Sequence, residues 1–227
     1  MYSKRNLWCG VVVVLLIGAL AAYGAAAQQC GSAKMTCPKG GQCMKQGEDG
    51  WISLCDGKNL ACWQNARKAD AENQWFVEDG TMTNKHHANN TSTKCTFKDF
   101  ELKLEYKIVK DGNSGVYLRG RIELQILDSF GHEKPGTGDD GAIYGKFVPL
   151  VNASRPAGEW NQLEATYVGD TLTAKLNGKL IHDKQKITEP TGGALPGKVN
   201  DPGPLMLQGD HGKIWFRNIM VRPLQAK

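Results

Sequence analysis

The chain has 227 residues and a formal net charge of +5, with Lys and Arg interleaved among Glu and Asp throughout. That length supports one domain with a sizeable core. The scattered charge excludes the concentrated basic footprint of a nucleic-acid binder.

The start of the chain reads as a targeting segment. Lys4 and Arg5 precede an apolar run from Leu7 to Ala27, and Ala25 and Ala27 form a small-x-small pattern before Gln28. Residues 1–27 are therefore expected to be a signal peptide, and the protein to be secreted or periplasmic. The run approaches the roughly 20 residues that span a bilayer, so an uncleaved chain would be membrane-anchored. The Ala-rich end lacks a basic stop-transfer flank, which favours cleavage. Gln28 and Gln29 sit where a lipoprotein at Cys30 would need small residues. Cleavage leaves 200 residues and removes Lys4 and Arg5, taking the charge from +5 to +3.

Cys9 lies in the signal segment. Cys30, Cys37, Cys43, Cys55, Cys62 and Cys95 remain, all in the N-terminal part. An even count in an exported protein favours disulfides, in a pairing that sequence leaves open. The spacings lack a Cys-x2-Cys pair, which disfavours zinc. Residues 28–50, rich in Gly, Lys and Cys, read as a disulfide-pinned leader, and residues 51–227 as the folded domain.

From Trp51 the pattern is β. Phe100 to Val109 alternates, with Leu102, Leu104, Tyr106 and Ile108 on one face and Glu101, Lys103, Glu105 and Lys107 on the other. Gly112 to Asp128 predicts two strands. Val116, Leu118, Ile122, Leu124 and Ile126 point to a core, and Tyr117, Arg119, Arg121, Glu123 and Gln125 to the opposite face. Trp160–Val168 is a further strand. Thr171–Leu176 and Lys179–Ile181 flank Asn177-Gly178, the strongest short hairpin signal. Leu205–Gln208 and Ile214–Val221 complete the pattern. Helical periodicity is nowhere sustained, so a β-sandwich or barrel is expected. Three long connections, Thr83–Thr93, Ser129–Ala142 and Thr188–Pro204, stand out as functional or mobile segments. Asn89, Asn90 and Asn152 each begin a glycosylation sequon, which matters only in a host that uses it.

The polar face around Glu123 is the candidate site. Any antiparallel strand turns polar residues to solvent. Here Gln and Tyr stand among opposite charges with glycines at Gly112, Gly115 and Gly120, a mix suited to a polyhydroxylated ligand or to acid–base chemistry. Glu123-x-Gln125-x-x-Asp128 invites comparison with the Glu-x-Asp-x-x-Glu of jelly-roll glucanases. Gln125 does not ionise, and by parity Asp128 points away from Glu123. A two-carboxylate glycosidase is thus disfavoured. His211, in Leu-Gln-Gly-Asp-His-Gly, is either a turn residue or a base or metal ligand facing the groove. His132 is placed to fold over the same face. Trp215 and Phe216 read as core.

Ten segments occur in an order that resembles the 3-keto-disaccharide hydrolase family, also called the 3-keto-glucoside 1,2-lyase–hydratase family. They are Trp51-Ile-Ser-Leu-Cys-Asp-Gly-Lys-Asn-Leu, Trp75-Phe-Val-Glu-Asp-Gly, Asp99-Phe-Glu-Leu, Gly112-Asn-Ser-Gly-Val, Glu123-Leu-Gln-Ile-Leu-Asp, Gly141-Ala-Ile-Tyr-Gly, Pro156-Ala-Gly-Glu-Trp-Asn, Leu176-Asn-Gly and Leu207-Gln-x-x-His-Gly running into Phe216-Arg-Asn-Ile. The resemblance spans about Trp51 to Leu224. It implies a concanavalin A-like jelly-roll sandwich of two antiparallel sheets, an exported protein and a carbohydrate ligand.

It also implies a chemistry that needs no carboxylate pair. A ketone at C3 of a glucosyl unit acidifies the C2 hydrogen; a base removes it, the C1 substituent leaves, and water adds to the unsaturated sugar. In that reading Glu123 and His211 are the catalytic pair. Arg119, Gln125, Tyr144 and Tyr117 bind substrate, and Arg119 or a divalent metal holds the enolate oxygen. Asp128, His132 and Arg217 are second choices, Arg217 also being a candidate brace for the last strand. An oxidoreductase that makes the 3-keto sugar is the implied functional partner. Cys55 and Cys62 stand where relatives usually have Phe and Gly, which raises a local disulfide. Some relatives carry a His just before a Trp-Leu-Asn-Gly stretch, and Ala174-Lys175-Leu176-Asn177-Gly178 of this chain lacks it. The rival readings are a non-catalytic, lectin-like carbohydrate-binding module of the same fold and a structural envelope protein.

Overall fold

The computed structural model describes residues 35–36, 45–47 and 49–225. The signal segment and most of the 28–50 leader lie outside the described residues, as do Cys30, Cys37 and Cys43. The expected all-β architecture is what forms: no helix occurs among the described residues, and two antiparallel sheets enclose one core.

The smaller sheet has five strands. Its edge pair is β10 (Asn113–Leu118) and β11 (Ile122–Leu127), followed by β15 (Met206–Leu207), β7 (Thr91–Thr93) and β4 (Trp63–Asn65). The larger sheet runs β14 (Lys179–Lys186), β13 (Thr171–Leu176), β12 (Asn161–Val168), β9 (Phe100–Ile108), β16 (Ile214–Pro223), β3 (Ile52–Ser53) and β2 (Lys45–Gln46). A hairpin of β5 (Trp75–Glu78) and β6 (Thr81–Asn84) joins it through β16. A separate pair links β1 (Met35–Thr36) to β8 (Thr96–Phe97), so the leader's described strands pair with the domain.

Period-2 alternation builds the core. Leu102, Leu104, Tyr106 and Ile108 are buried from β9, and Val116, Leu118, Ile122, Leu124 and Ile126 face them from β10 and β11. Burying each such aliphatic side chain contributes about 1.5–3 kcal/mol. The Asn177-Gly178 hairpin forms as expected, with φ of 50° and 78° at its two turn residues. Two departures from the sequence pattern have local causes. The Thr83–Thr93 connection is not free of structure, because Thr91–Thr93 is a central strand between β15 and β4. The β14 strand runs on to Lys186 although its outer face is charged, since β13 pairs with it along its length.

Cys55 is a free, half-buried thiol, so the local Cys55–Cys62 bridge raised by the sequence does not form. Burial pushes that thiol's pKa up.

Candidate active site

β10 and β11 pair in register, Tyr117 opposite Glu123 and Gly115 opposite Gln125. Their outward face carries Asn113, Gly115, Tyr117, Glu123 and Gln125. Glu123 is only 2% exposed and Tyr117 1%. A polar face expected to meet solvent is thus roofed, and two long connections make the roof.

The first is Thr188–Pro204. Thr191 N–H donates to Arg121 O at 3.0 Å, Leu195 N–H to Gly120 O at 2.8 Å, and Glu123 N–H to Thr191 Oγ1 at 3.0 Å. The chain then crosses Tyr117, whose hydroxyl donates to Gly192 O at 3.1 Å. Gly193 sits at φ 74°, and a Cβ there would stand 2.5 Å from that hydroxyl, so only glycine passes. Arg67 Nη2 ties the far side, donating to Gly193 O at 3.0 Å.

The second is Ser129–Ala142 with the residues just after it. Asp140 is buried between the sheets; Tyr106 Oη lies 2.8 and 2.7 Å from its two oxygens, and Leu127 N–H donates to it at 3.3 Å. Burial pushes this carboxyl up to about 7 despite those bonds. From that anchor the chain runs along β11. Gly141 N–H donates to Gln125 O, Gln125 N–H to Ala142 O and Tyr144 N–H to Glu123 O, which sets Tyr144, 41% exposed, beside Glu123.

The Glu123 carboxyl leans across Gly115. A Cβ on Gly115 would sit 2.9 Å from Glu123 Cδ and closer still to Oε1. Gly115 is therefore a slot for the carboxyl. Gly115→Ala is expected to leave the sandwich folded, at an overpacking cost of about 1–3 kcal/mol, while displacing the carboxyl. Thermal unfolding together with turnover checks this, and a Gly115→Ala protein of normal activity would contradict the slot.

Burial, more than anything else, raises the Glu123 pKa to about 7. The negative charge of Asp210 pushes the same way, and a hydrogen bond from Tyr117 pulls back. Asp210 is thus close enough to act on Glu123, and its Oδ1 lies 2.5 Å from His211 Nδ1. His87 Nδ1 meets the Asp210 carbonyl oxygen at 2.8 Å. Burial and the neighbouring carboxylates hold Tyr117 firmly as a phenol.

The expected site residues divide accordingly. Glu123, Tyr117, Gln125 and Tyr144 come together, and Asp210 brings His211 to their edge. Gln125 Nε2 donates to Asn113 Oδ1 at 3.3 Å. Arg119 departs from the face it was expected on, because strand alternation stops at the 119–121 turn, where Arg119 has φ 52°. Its guanidinium is fully buried, donating to Lys98 O, to Gly169 O at 2.7 Å and Val199 O at 3.1 Å, pairing with Asp99 at 3.1 Å and stacking 3.9 Å from the Tyr167 ring. Arg121 likewise ties the roof through Asp201 O and Pro196 O.

Asp128 accepts from Asp111 N–H at 2.9 Å and braces the turn before β10. His132 pairs with Asp139 at 3.2 Å on the surface. Arg217 lies on the outer face of the larger sheet, paired with Glu105 at 2.7 Å and stacked on Trp160. Its bracing role matches the sequence reading, although the pair is half-exposed. Trp215 shares that outer face and is only partly buried, stacked by Lys107 and Lys213, whereas Phe216 is core as expected.

Sequence reasoning missed Asp210, Thr191, Gly192, Gly193 and Gln208. A Gly-Gly pair within a long connection and an Asp beside His211 were the available signals. Among the described residues no three His, Cys, Asp or Glu side chains stand together as ligands for the divalent ion the sequence left open. A groove of about 330 Å³ lies on the outer face of the larger sheet, lined by Trp51, Lys103, Glu164, Lys175 and Arg222 among others. Arg222 is paired with Glu101 there, and Lys103 covers Trp51. It shares no residue with the Glu123 face.

Fold and site together define a carbohydrate-active β-sandwich of the hydrolase-like kind. The chain belongs to the 3-keto-alpha-glucoside-1,2-lyase-like domain family, whose family model matches residues 50–222. A 3-keto-disaccharide hydrolase of Bacteroides thetaiotaomicron is 25% identical over 230 aligned residues, covering 78% of this chain and 79% of its own. The crystal structure of a presumed glycosyl hydrolase of Parabacteroides distasonis is 32% identical with a TM-score of 0.65, over 77% of this chain and 84% of that one. The carbohydrate-binding module CBM66 of Bacillus subtilis shares the fold at a TM-score of 0.50 and 10% identity, over 71% of this chain and 95% of its own.

Proposed function

We propose that this protein is an exported enzyme that cleaves 3-keto-glycosides by elimination and hydration. The observation that carries the reading is a single buried carboxyl, Glu123, poised near neutrality beside Tyr117 on a polar strand face. A general base works best when its pKa lies near the working pH.

In the first step the Glu123 carboxylate takes the C2 proton, and the electron pair of the C–H bond enters the C3 carbonyl as an enolate. The phenol of Tyr144, exposed beside Glu123, stabilises that oxygen. The enolate collapses toward C1, a C1=C2 bond forms, and the C1–O bond breaks. His211, oriented by Asp210, returns a proton to the departing oxygen. Water then adds at C1, giving its proton to His211, while Glu123 gives its proton back to C2, leaving the 3-keto sugar and the free aglycone. Gln125 orients hydroxyls. The substrate requires prior oxidation at C3, so an oxidoreductase acts upstream. Export is supported by the signal pattern before Gln28.

The test is aglycone release from a 3-keto-glucoside and from the same glucoside unoxidised, with and without EDTA. Release from the 3-keto compound alone supports elimination. Asp210, a second carboxylate acting on Glu123, favours one rival, two-carboxylate hydrolysis. Release from the unoxidised glucoside would establish that rival instead.

The Glu123 shift also sets a pH profile. Its carboxyl is raised from 4.5 to about 7, so the base form grows with pH. The kcat/KM profile is expected to rise through about pH 7 and level above it. Asp210→Asn removes a charge that raises Glu123 and should move the limb toward acid. Tyr117→Phe removes a bond that lowers it and should move the limb toward alkali. Limbs that stay in place in both variants would assign the titration to another group.

A further inference from the structure

We propose that Gln208 is a specificity-determining residue that accepts a hydrogen bond from the sugar hydroxyl on C2, the carbon that loses its proton. This rests on the elimination reading of the Glu123 site.

The placement follows from register. Met206 of β15 lies opposite Tyr117 of β10, so Met206 shares the Tyr117 face. Just past the end of β15, Gln208 still pairs with β10 at Gly115, which keeps it on that face. Its backbone is clamped there: Gln208 N–H donates to Gly115 O at 3.0 Å, and Ser114 Oγ donates to Gln208 O at 2.8 Å. Gly115 therefore has Gln125 on one side and Gln208 on the other, and the Glu123 carboxyl occupies the space above it. Two amides flank the base.

They differ in one respect. Gln125 spends its Nε2 on Asn113 Oδ1. Gln208 Oε1 is buried and has no hydrogen-bond partner. Leaving such an atom unpaired costs about 1–3 kcal/mol. Gln208 shares the strand face of the base, and its acceptor is free. A group that flanks the atom taking the C2 proton lies over the substituents of C2. The free acceptor matches a hydroxyl donor there, and a ligand that lacks the donor leaves the acceptor unpaired.

The experiment is a two-by-two cycle, wild type and Gln208→Leu against a 3-keto-glucoside and its 2-deoxy counterpart. Removing either partner alone is expected to lower kcat/KM about tenfold, the worth of one neutral hydrogen bond. Removing both should cost little more than removing one. Equal penalties for the missing hydroxyl in the wild type and the Gln208→Leu variant would overturn the proposal.

Stability supplies an independent readout. Leucine removes an unpaired polar atom, so the melting temperature should hold or rise, whereas a structural amide would make it fall. Gln208→Met repeats the cycle if the leucine variant does not fold. If the wild type releases no aglycone, the same cycle is read as binding of methyl glucoside and its 2-deoxy form by calorimetry. Coupling between residue and hydroxyl there supports the assignment, and additivity overturns it, whatever the fate of the catalytic reading.

Discussion

Glu123→Gln is expected to cut turnover of a 3-keto-glucoside by about 100-fold to 10,000-fold, the usual worth of a positioned general base. Gln keeps the length and shape of the side chain, so it still fills the slot over Gly115 and still accepts from Tyr117. Sugar binding should therefore survive. What is lost is the ability to take a proton.

The same variant should change the pH dependence of stability in a defined direction. The folded carboxyl is raised to about 7 from 4.5, so the native state holds a proton that the unfolded chain has released between those values. The stability this group contributes is full below pH 4.5 and is lost as pH rises through about 7. Gln carries no charge at any pH. Relative to wild type, the Glu123→Gln protein should be more stable above pH 7 than it is near pH 4. Urea denaturation at both pH values reads this directly. Turnover within threefold of wild type would remove Glu123 from the chemistry, and parallel stability profiles would show that its carboxyl is not buried in solution.

Arg119→Met is expected to cost about 3–5 kcal/mol of stability, the range for breaking a buried ion pair by removing one partner. Methionine fills much of the volume but leaves the Lys98, Gly169 and Val199 carbonyls and the Asp99 carboxylate short of their donor. It also gives up the stacking on Tyr167. These partners come from the start of β9, the β12–β13 turn and the roof over the site, so one guanidinium joins three parts of the fold. Lysine is not an adequate substitute, because a compact ammonium does not span acceptors that a planar fork reaches together. For a domain of this size the loss corresponds to a fall in Tm of about 10 °C. The urea midpoint should fall with the slope unchanged. Turnover per folded molecule should stay near that of wild type. A protein of normal stability but lost activity would return Arg119 to the substrate.

The outcome at Arg119 shows what could be seen along the chain and what could not. Leu102 to Ile108 and Val116 to Ile126 were legible as inward faces because period-2 alternation reports which side of a sheet is dry. The Asn177-Gly178 turn was legible because positive φ at two successive residues restricts the residue types. The same alternation put Arg119 beside Glu123. It failed there because a left-handed residue at the turn rotates the chain, and a strand rule carries no information past the end of a strand. Thr91–Thr93 was read as connection because a three-residue strand flanked by Asn and Lys has no pattern long enough to detect; its neighbours β15 and β4 make it a strand.

The residues that roof the site were the least visible. Thr191, Gly192 and Gly193 lie about seventy residues from Glu123 in the chain and bear on it only through tertiary hydrogen bonds to Arg121, Glu123, Tyr117 and Arg67. Asp210, just after β15, acts on Glu123 of β11 with β10 between the two strands, a relation no sequence spacing encodes. The order of residues by itself determined an all-β sandwich, its inward faces, one tight hairpin and the polar strand that carries Glu123, because these follow from local alternation and turn chemistry. Tertiary structure alone decided that this polar strand is buried rather than wet, that Arg119 is a brace rather than a ligand for substrate, and that Glu123 titrates near neutrality. Burial, unlike alternation, is set by what the distant parts of the chain place on top.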